Sequence, residues 1–102
     1  MKIITICGSL KFIKEMLEIA EKKELEGNCI LLPIYNPRRS SKDDFTEEEL
    51  LMLSQMHKEK IKISDAILVV NVNNYIGAST QNEIEFAKSL NKEIIYYTDF
   101  IK

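Results

Sequence analysis

The stretch that decides the fold is residues 63–87, ISDAILVVNVNNYIGASTQNEIEFA. Residues 66–70 are an unbroken, largely β-branched apolar run between polar residues, which predicts a strand buried on both faces. A polar loop over residues 71–79 follows, and a helix is predicted from Thr80 onward. A strand, a loop and a helix start in this order present backbone donors to an anion.

The rest of the chain supplies three more strand patterns. Residues 3–7, 29–35 and 93–97 are short apolar runs that predict strands. Pro33 removes one backbone donor, which favours an edge position for the second strand. The third predicted strand in chain order is the central run already described.

Helical patterns lie between these strands. One helix is predicted after Ser9 and ends at Gly27, and another begins at Thr46, where Glu49 completes a capping box. Alternating strands and helices predict one α/β domain over residues 1–102, with a parallel sheet in the order 2-1-3-4 and helices on both faces. The ligand crevice of such a sheet lies beyond the carboxyl ends of strands one and three.

Composition limits the function classes. The chain has 102 residues, a formal net charge of -2 and 45% hydrophobic residues, which predicts a globular domain without nucleic acid as a main partner. No apolar run approaches the roughly 18 residues of a membrane span, and the first strand leaves no room for a signal peptide, so we expect a cytoplasmic protein. Cys7 and Cys29 are predicted to be buried thiols. With one histidine and no clustered cysteines, we expect neither a zinc site nor a cofactor.

Glu83 is the first candidate for chemistry. Helical spacing places it on the inward side with Phe86 and Ala87, and places Glu85 in solvent. A carboxylate in the first turn of a helix is kept ionised by the helix dipole and can act as a nucleophile. The alternative interpretation is structural, because Thr80 and Glu83 also fit a capping box, and spacing alone favours that interpretation.

Other candidates lie in the loops of the crevice. Arg38 and Arg39 follow strand two and can bind a phosphate, although most paired loop arginines are merely solvated. The Gly8-Ser9 turn can offer amide donors, but neither a Walker loop nor a Gly-x-Gly-x-x-Gly run is present. His57 falls on the apolar stripe of the second helix, and a continuous helix is expected to hold it well away from the crevice.

Several motifs together resemble one known family. The chain is similar to the nucleoside 2-deoxyribosyltransferase-like superfamily, most closely its small bacterial branch, through Cys7-Gly8-Ser9, the His-x-x-Lys-Ile-x-x-Ser-Asp run of residues 57–65, Val70-Asn71, Asn74-Tyr75-Ile76-Gly77, Ser79-Thr80 and Glu83-Ile84-Glu85-Phe86-Ala87. The resemblance spans nearly the whole chain and is strongest from His57 to Lys92. It implies a three-layer flavodoxin-like or Rossmann-like fold with a sheet of four to five strands.

The resemblance also implies an activity, namely cleavage or transfer at the N-glycosidic bond of a nucleoside or its monophosphate. Relatives use a glutamate as nucleophile on the anomeric carbon, and the matching residue is Glu83. The relatives carry an aspartate ahead of the central strand, and this chain has His57 near that position. Because the leaving base needs a proton donor or a hydrogen-bond partner, this departure implies a different reaction or a different substrate. They also complete the site with a neighbouring subunit, which implies a homodimer.

The predicted site therefore has two catalytic candidates, Glu83 and His57, and a set of substrate-binding candidates: Gly8, Ser9, Arg38, Arg39, Asn71, Tyr75, Gly77, Ser79 and Thr80. Two rival hypotheses remain beside the enzyme. One is a non-catalytic module that binds or senses nucleotides, and the other is a structural domain with an empty crevice.

Overall fold

Four parallel strands form one sheet in this computed structural model, which describes residues 1–100. The strands are β1 (Ile3–Cys7), β2 (Cys29–Leu31), β3 (Ala66–Val69) and β4 (Glu93–Tyr96). Their order is β2-β1-β3-β4, and every neighbouring pair is parallel. The predicted α/β class, the strand order and the edge position of the second strand are confirmed.

Helices cover both faces of this sheet. Within residues 1–100 the α-helices are α1 (Ile13–Leu25), α2 (Glu47–Ile63) and α3 (Ala78–Ser89). Side chains alternate along each strand, so Ile6 and Leu68 pack with α1 while Ile67 and Val69 pack with α2 and α3. The result is a three-layer, flavodoxin-like arrangement with one apolar core on each side of the sheet. No helix in the described part of the chain has the length and apolar content needed to cross a membrane.

Two predicted helix ends are confirmed. At the start of α2, the Thr46 hydroxyl accepts a hydrogen bond from the Glu49 amide at 3.1 Å, and the Glu49 carboxylate accepts one from the Thr46 amide at 3.0 Å. At the end of α1, Gly27 has a φ of 95°, and the next amide, of Asn28, bonds to the Lys23 carbonyl at 3.1 Å. Local sequence therefore decides both boundaries.

The second strand is shorter than predicted. Residues 29–35 were expected to pair, but pairing ends at Leu31, because Pro33 has no amide donor to continue the ladder. Cys7 is buried as expected, whereas Cys29 is exposed, which corrects the prediction for that thiol. Cys29 is the first residue of an edge strand, which has a neighbouring strand on one side only, so its side chain can reach solvent. Strands β3 and β4 each end one residue earlier than predicted.

Helix α3 begins earlier than its sequence pattern suggested. Gly77 is its N-cap, and the Gln81 amide bonds to the Gly77 carbonyl at 2.9 Å. Thr80 is therefore inside the helix and buried, and Glu83 lies beyond the first turn. The capping-box interpretation of Thr80 and Glu83 is wrong, because a capping threonine must precede the first helical residue.

Candidate active site

Two adjoining cavities open at the carboxyl ends of β1 and β3. The glycine-turn cavity, of about 420 Å³, is lined by the turn after β1, by Lys11 and Lys42, and by residues 75 and 77–80 before and at the start of α3. The His57 cavity, of about 250 Å³, is lined by His57, Glu83 and apolar side chains of α2. Both cavities share the wall made by Gly8, Leu10, Lys42 and Ser79. The crevice therefore lies where a sheet of this order leads the connections apart.

Three side chains with reactive atoms meet at the inner wall of the His57 cavity. Cys7 Sγ lies 3.4 Å from His57 Nε2, which in turn lies 3.8 Å from Glu83 Oε1. Cys7 is fully buried, His57 is 7% exposed, and the Glu83 side chain is 22% exposed. His57 Nδ1 is buried without a hydrogen-bond partner among residues 1–100. We call these three residues the Cys7–His57–Glu83 cluster.

Helix geometry explains why His57 reaches this cluster. Helix α2 runs antiparallel to the strands and ends at Ile63, close to the amino end of β3. Since an α-helix rises about 1.5 Å per residue, His57 lies about 9 Å back toward the carboxyl ends of the strands. The register is set by the Thr5 hydroxyl, which donates to the Lys60 carbonyl at 3.1 Å. From this contact, Cys7 lies two residues along β1 and His57 three residues back along α2, both toward the carboxyl ends of the strands, so their side chains meet there. The expectation that a continuous helix holds His57 away from the crevice is therefore wrong.

Glu83 reaches the cluster from α3, which runs antiparallel to the strands as α2 does. Helix α3 starts at Ala78 beside the crevice and descends along the sheet, so Glu83 lies about 7.5 Å below its start. The faces of α3 agree with the prediction: Glu83 is partly buried and Ala87 fully buried, whereas Glu85 is exposed and accepts a hydrogen bond from Gln81. The helix start and the helix face together aim Glu83 at the His57 cavity.

Burial shifts the ionisation of Glu83 and His57 in opposite directions. Burial raises the pKa of Glu83 from 4.5 to about 7, although a hydrogen bond from Cys7 and the charge of Lys58 partly oppose it. Burial also lowers the pKa of His57 from 6.5 to about 4, and the neighbouring Lys60 charge adds to this effect. The helix dipole was expected to keep Glu83 ionised, but the dipole acts mainly within the first turn, and burial dominates here.

The Cys7 thiol stays protonated in this environment. Burial, followed by the charge of Glu83, raises the pKa of Cys7 well above its usual range. At neutral pH the cluster therefore contains a thiol, a neutral imidazole and a carboxyl group near its titration midpoint. A carboxyl group with a pKa near 7 can serve as a base or as a nucleophile at physiological pH.

The cluster also corrects the expectation that the chain lacks metal ligands. That expectation came from the spacing of cysteine and histidine along the sequence. One ligand atom from each of Cys7, His57 and Glu83 lies within 4.8 Å of the others, although the three residues belong to three different elements. Tertiary structure thus assembles a ligand set that has no sequence motif.

The glycine turn is tightly packed. A Cβ atom on Gly8 would lie 2.8 Å from Met16 Cε and 3.1 Å from the Val70 carbonyl oxygen. Ser9 caps the short helix that follows, where its hydroxyl accepts from the Lys11 amide at 3.4 Å. Gly8 is therefore required by packing within the protein, because a side chain here would press on α1 and on the segment after β3.

Lysines, rather than the predicted arginines, line the glycine-turn cavity. Arg39 donates to the Asp44 carbonyl and pairs with Glu49 at 2.9 Å, so its guanidinium stabilises the start of α2. Arg38 is exposed, and neither arginine lines the two cavities formed by residues 1–100. The cations that do line the glycine-turn cavity are Lys11 and Lys42. Lys42 lies in the loop after the second strand, where the crevice was predicted, whereas Lys11 lies in the stretch after Ser9 that was predicted as helix.

Tyr75 and the small residues at the start of α3 line the glycine-turn cavity. Gly77, Ser79 and Thr80 all contribute to its wall, and the ring of Tyr75 lies 3.4 Å from Lys11 Nζ, measured from the ring centroid. This cation–π contact fixes the lysine at the mouth of the cavity.

Asn71 has a different place from the one predicted. Its amide group donates to the Thr98 hydroxyl at 3.1 Å and accepts from the Thr98 amide at 3.2 Å. These bonds connect the segment after β3 with the segment after β4. Asn71 thus stabilises the connection between these two segments, and it lines neither cavity in the described structure.

Comparison with known proteins leaves the family open. No protein-family model matches the chain, and no significant match is found among curated proteins or solved structures.

Proposed function

We propose that this protein cleaves or transfers at the N-glycosidic bond of a nucleoside or nucleoside monophosphate, with Glu83 as the nucleophile. The observation that carries the proposal is a partly buried carboxyl group, Glu83, in the wall of a cavity that adjoins a larger one lined by Lys11 and Lys42. The larger cavity has a volume in the range of small-molecule sites, roughly 300–1,000 Å³. The sequence resemblance supports the same assignment of Glu83.

The two cavities suit different parts of a nucleotide. The glycine-turn cavity offers two lysines and the backbone near Gly8, and this combination suits a phosphate. The His57 cavity has apolar walls from Pro33, Leu50 and Leu53, which suit the face of a base. The sugar then spans the shared wall, so its anomeric carbon faces Glu83.

The chemistry requires two displacements at that carbon. First, a Glu83 carboxylate oxygen forms a bond to the anomeric carbon, and the bond to the base nitrogen breaks with its electron pair on the nitrogen. The departing base takes a proton from water in the open cavity. Next, water or a second base attacks the same carbon and displaces Glu83, and an attacking water gives its spare proton to solvent. The net reaction is hydrolysis or base exchange.

His57 is a positioning residue in this scheme. Its imidazole is neutral at physiological pH, and its Nε2 faces both Cys7 and Glu83. The hydrogen bond of Nε2 is made with Cys7, so the neutral ring orients the Glu83 carboxyl group by contact. The aspartate of the relatives therefore has no direct counterpart in His57, and the leaving base depends on solvent for its proton.

Base release tests this proposal directly. Wild type, Glu83→Gln and Glu85→Gln would each be incubated with deoxynucleosides, ribonucleosides and their monophosphates, and free base would be separated by chromatography. We expect base from wild type and from Glu85→Gln, whose altered residue is exposed on the same helix. Glu83→Gln should lose at least about 10³-fold in rate, because the nucleophile is absent. Base release by Glu83→Gln at the wild-type rate would reject the assignment.

A second candidate is a module that binds nucleotides without cleaving them. The observation that favours it is the neutral state of His57, since the nearest imidazole to Glu83 is not an acid at physiological pH. This candidate predicts saturable binding of a nucleoside monophosphate in calorimetry with no base released. Catalytic consumption of any nucleoside would exclude it.

A further inference from the structure

The Cys7–His57–Glu83 cluster has the dimensions of a metal site. Zinc binds thiolate sulfur at about 2.3 Å and imidazole nitrogen or carboxylate oxygen at about 2.0–2.2 Å, so tetrahedral ligand atoms lie roughly 3.3–3.6 Å apart. The observed distances are 3.4 Å from sulfur to nitrogen and 3.8 Å from nitrogen to oxygen. All three atoms lie within 4.8 Å of one another. Small side-chain rotations are sufficient to close this set around one ion.

We propose that Cys7, His57 and Glu83 form a binding site for a thiophilic divalent cation such as Zn²⁺, with a fourth ligand position open to the His57 cavity. The donors determine the class of ion. One thiolate, one imidazole and one carboxylate suit zinc or cobalt(II), whereas magnesium and calcium prefer sites made of oxygen alone. Three protein ligands with one open position are typical of zinc sites that exchange water or a small molecule.

The protons balance when the ion binds. Cys7 enters as a thiol and gives its proton to solvent as the sulfur–metal bond forms. His57 binds through Nε2, the nitrogen that faces both other ligands, and no proton has to leave because the ring is already neutral. Glu83, whose pKa burial raises to about 7, gives the proton of its acid form to solvent and binds as a carboxylate. No electron is transferred, so the site needs neither an oxidant nor a reductant.

The His57 cavity provides the route of entry. His57 and Glu83 line this cavity, and Cys7 lies directly behind them with no exposed surface. An ion arriving through the cavity meets the imidazole and the carboxylate first and then the thiol. The nearby cations weaken the affinity: Lys58 acts on Glu83, Lys60 acts on His57, and Lys42 and Lys60 line the cavity itself. Lys60 Nζ donates to the Leu32 carbonyl.

Occupancy of this site has a consequence for Glu83. A metal ion takes the same carboxylate group that would attack an anomeric carbon, so metal binding and glycosidic cleavage exclude each other. This consequence rests on the proposed function, whereas metal binding itself does not. We therefore expect zinc to act as an inhibitor of base release.

Cobalt(II) provides the direct test, because a thiolate ligand gives Co²⁺ an intense near-ultraviolet charge-transfer band. The full chain, freed of metal with a chelator under reducing conditions, would be titrated with Co²⁺ and then with Zn²⁺ as competitor. We expect a band that saturates at one equivalent and disappears when zinc displaces cobalt. Cys7→Ser should lose the band, and Cys29→Ser, which changes the exposed second thiol, should keep it.

Glu83→Gln keeps the test conclusive if Cys7→Ser fails to fold. This variant should retain the charge-transfer band but bind Co²⁺ at least about tenfold more weakly, since one ligand is lost. Absence of the band in folded wild type at millimolar Co²⁺, or its persistence in Cys7→Ser, would overturn the proposal. If the protein binds the metal but releases no base when it is metal-free, the metal site stands and the glycosidic function is rejected instead.

Discussion

Replacing Glu83 by glutamine should change how the stability of the protein depends on pH. Burial raises the pKa of Glu83 to about 7 in the folded protein, against an ordinary 4.5 in the unfolded chain. The folded state therefore holds a proton between these pH values that the unfolded state releases, and Glu83 makes stability fall as pH rises through this window. Glutamine has no proton to lose, so the variant escapes this loss.

The magnitude follows from the difference of about 2.5 between the two pKa values, at 1.36 kcal/mol for each pH unit. This gives about 3 kcal/mol, which we reduce to about 2 kcal/mol because the Glu83 side chain is 22% exposed and partly screened. Between pH 4 and pH 8, the free energy of unfolding of Glu83→Gln should thus rise by about 2 kcal/mol relative to wild type. Any pH-independent cost of the substitution cancels in this comparison.

His57 acts with the opposite sign. Its pKa is lowered to about 4 in the folded state from 6.5, so the unfolded chain holds the extra proton and stability rises with pH between these values. In wild type the two slopes nearly cancel between pH 4.5 and 6.5, because the folded pair and the unfolded pair hold the same number of protons. Glu83→Gln removes the contribution of Glu83, so the free energy of unfolding of this variant should rise with pH because of His57.

Urea unfolding followed by circular dichroism, at several pH values from 4 to 8 and with a chelator present, measures these free energies. Glu85→Gln is the matched control, because its carboxylate is exposed on the same helix, and its pH profile should follow that of wild type. If Glu83→Gln also follows wild type, burial of Glu83 is not what governs its ionisation. A Glu83 carboxyl group with a pKa near 7 would then be rejected.

Three further predictions concern the helix start, the glycine turn and the lysines. Thr46→Ala should lower the free energy of unfolding by about 1 kcal/mol, since it removes a side-chain cap from α2, and an unchanged urea midpoint would contradict this. Gly8→Ala should cost about 1–3 kcal/mol in the same assay, because its Cβ would lie 2.8 Å from a neighbouring side chain and 3.1 Å from a backbone carbonyl; wild-type stability would show that the turn can relax. Replacing Lys11 and Lys42 together by alanine should weaken binding of a nucleoside monophosphate about tenfold or more in calorimetry while changing nucleoside binding little, and Arg38→Ala, outside both cavities, is the control; equal weakening of both ligands would reject a phosphate role.

Local sequence patterns predict the strand order, one helix start and the buried position of Glu83. Period and run length identified the four strands, and Pro33 identified the edge strand, because these patterns record which faces are buried and which backbone donors are missing. The capping pair Thr46 and Glu49 fixed the start of α2 for a purely local reason. Helical spacing likewise separated Glu83 from Glu85, since neighbours on a helix face are set by its 3.6-residue turn.

Other features were decided by tertiary structure alone. Cys7, His57 and Glu83 are 50 and 26 residues apart in sequence order, and they meet only because α2 and α3 pack side by side on the same face of the sheet. The ionisation of Glu83 depends on how much water its neighbours exclude, and no local pattern encodes that quantity. Arg39 was predicted to bind a ligand because of its loop, but its guanidinium pairs with Glu49 in the folded protein. The cations that line the glycine-turn cavity are lysines. Local sequence determines on which face of a helix or strand a residue lies. The distances between residues that are far apart in sequence depend on how the helices and the sheet pack, and reactivity depends on those distances.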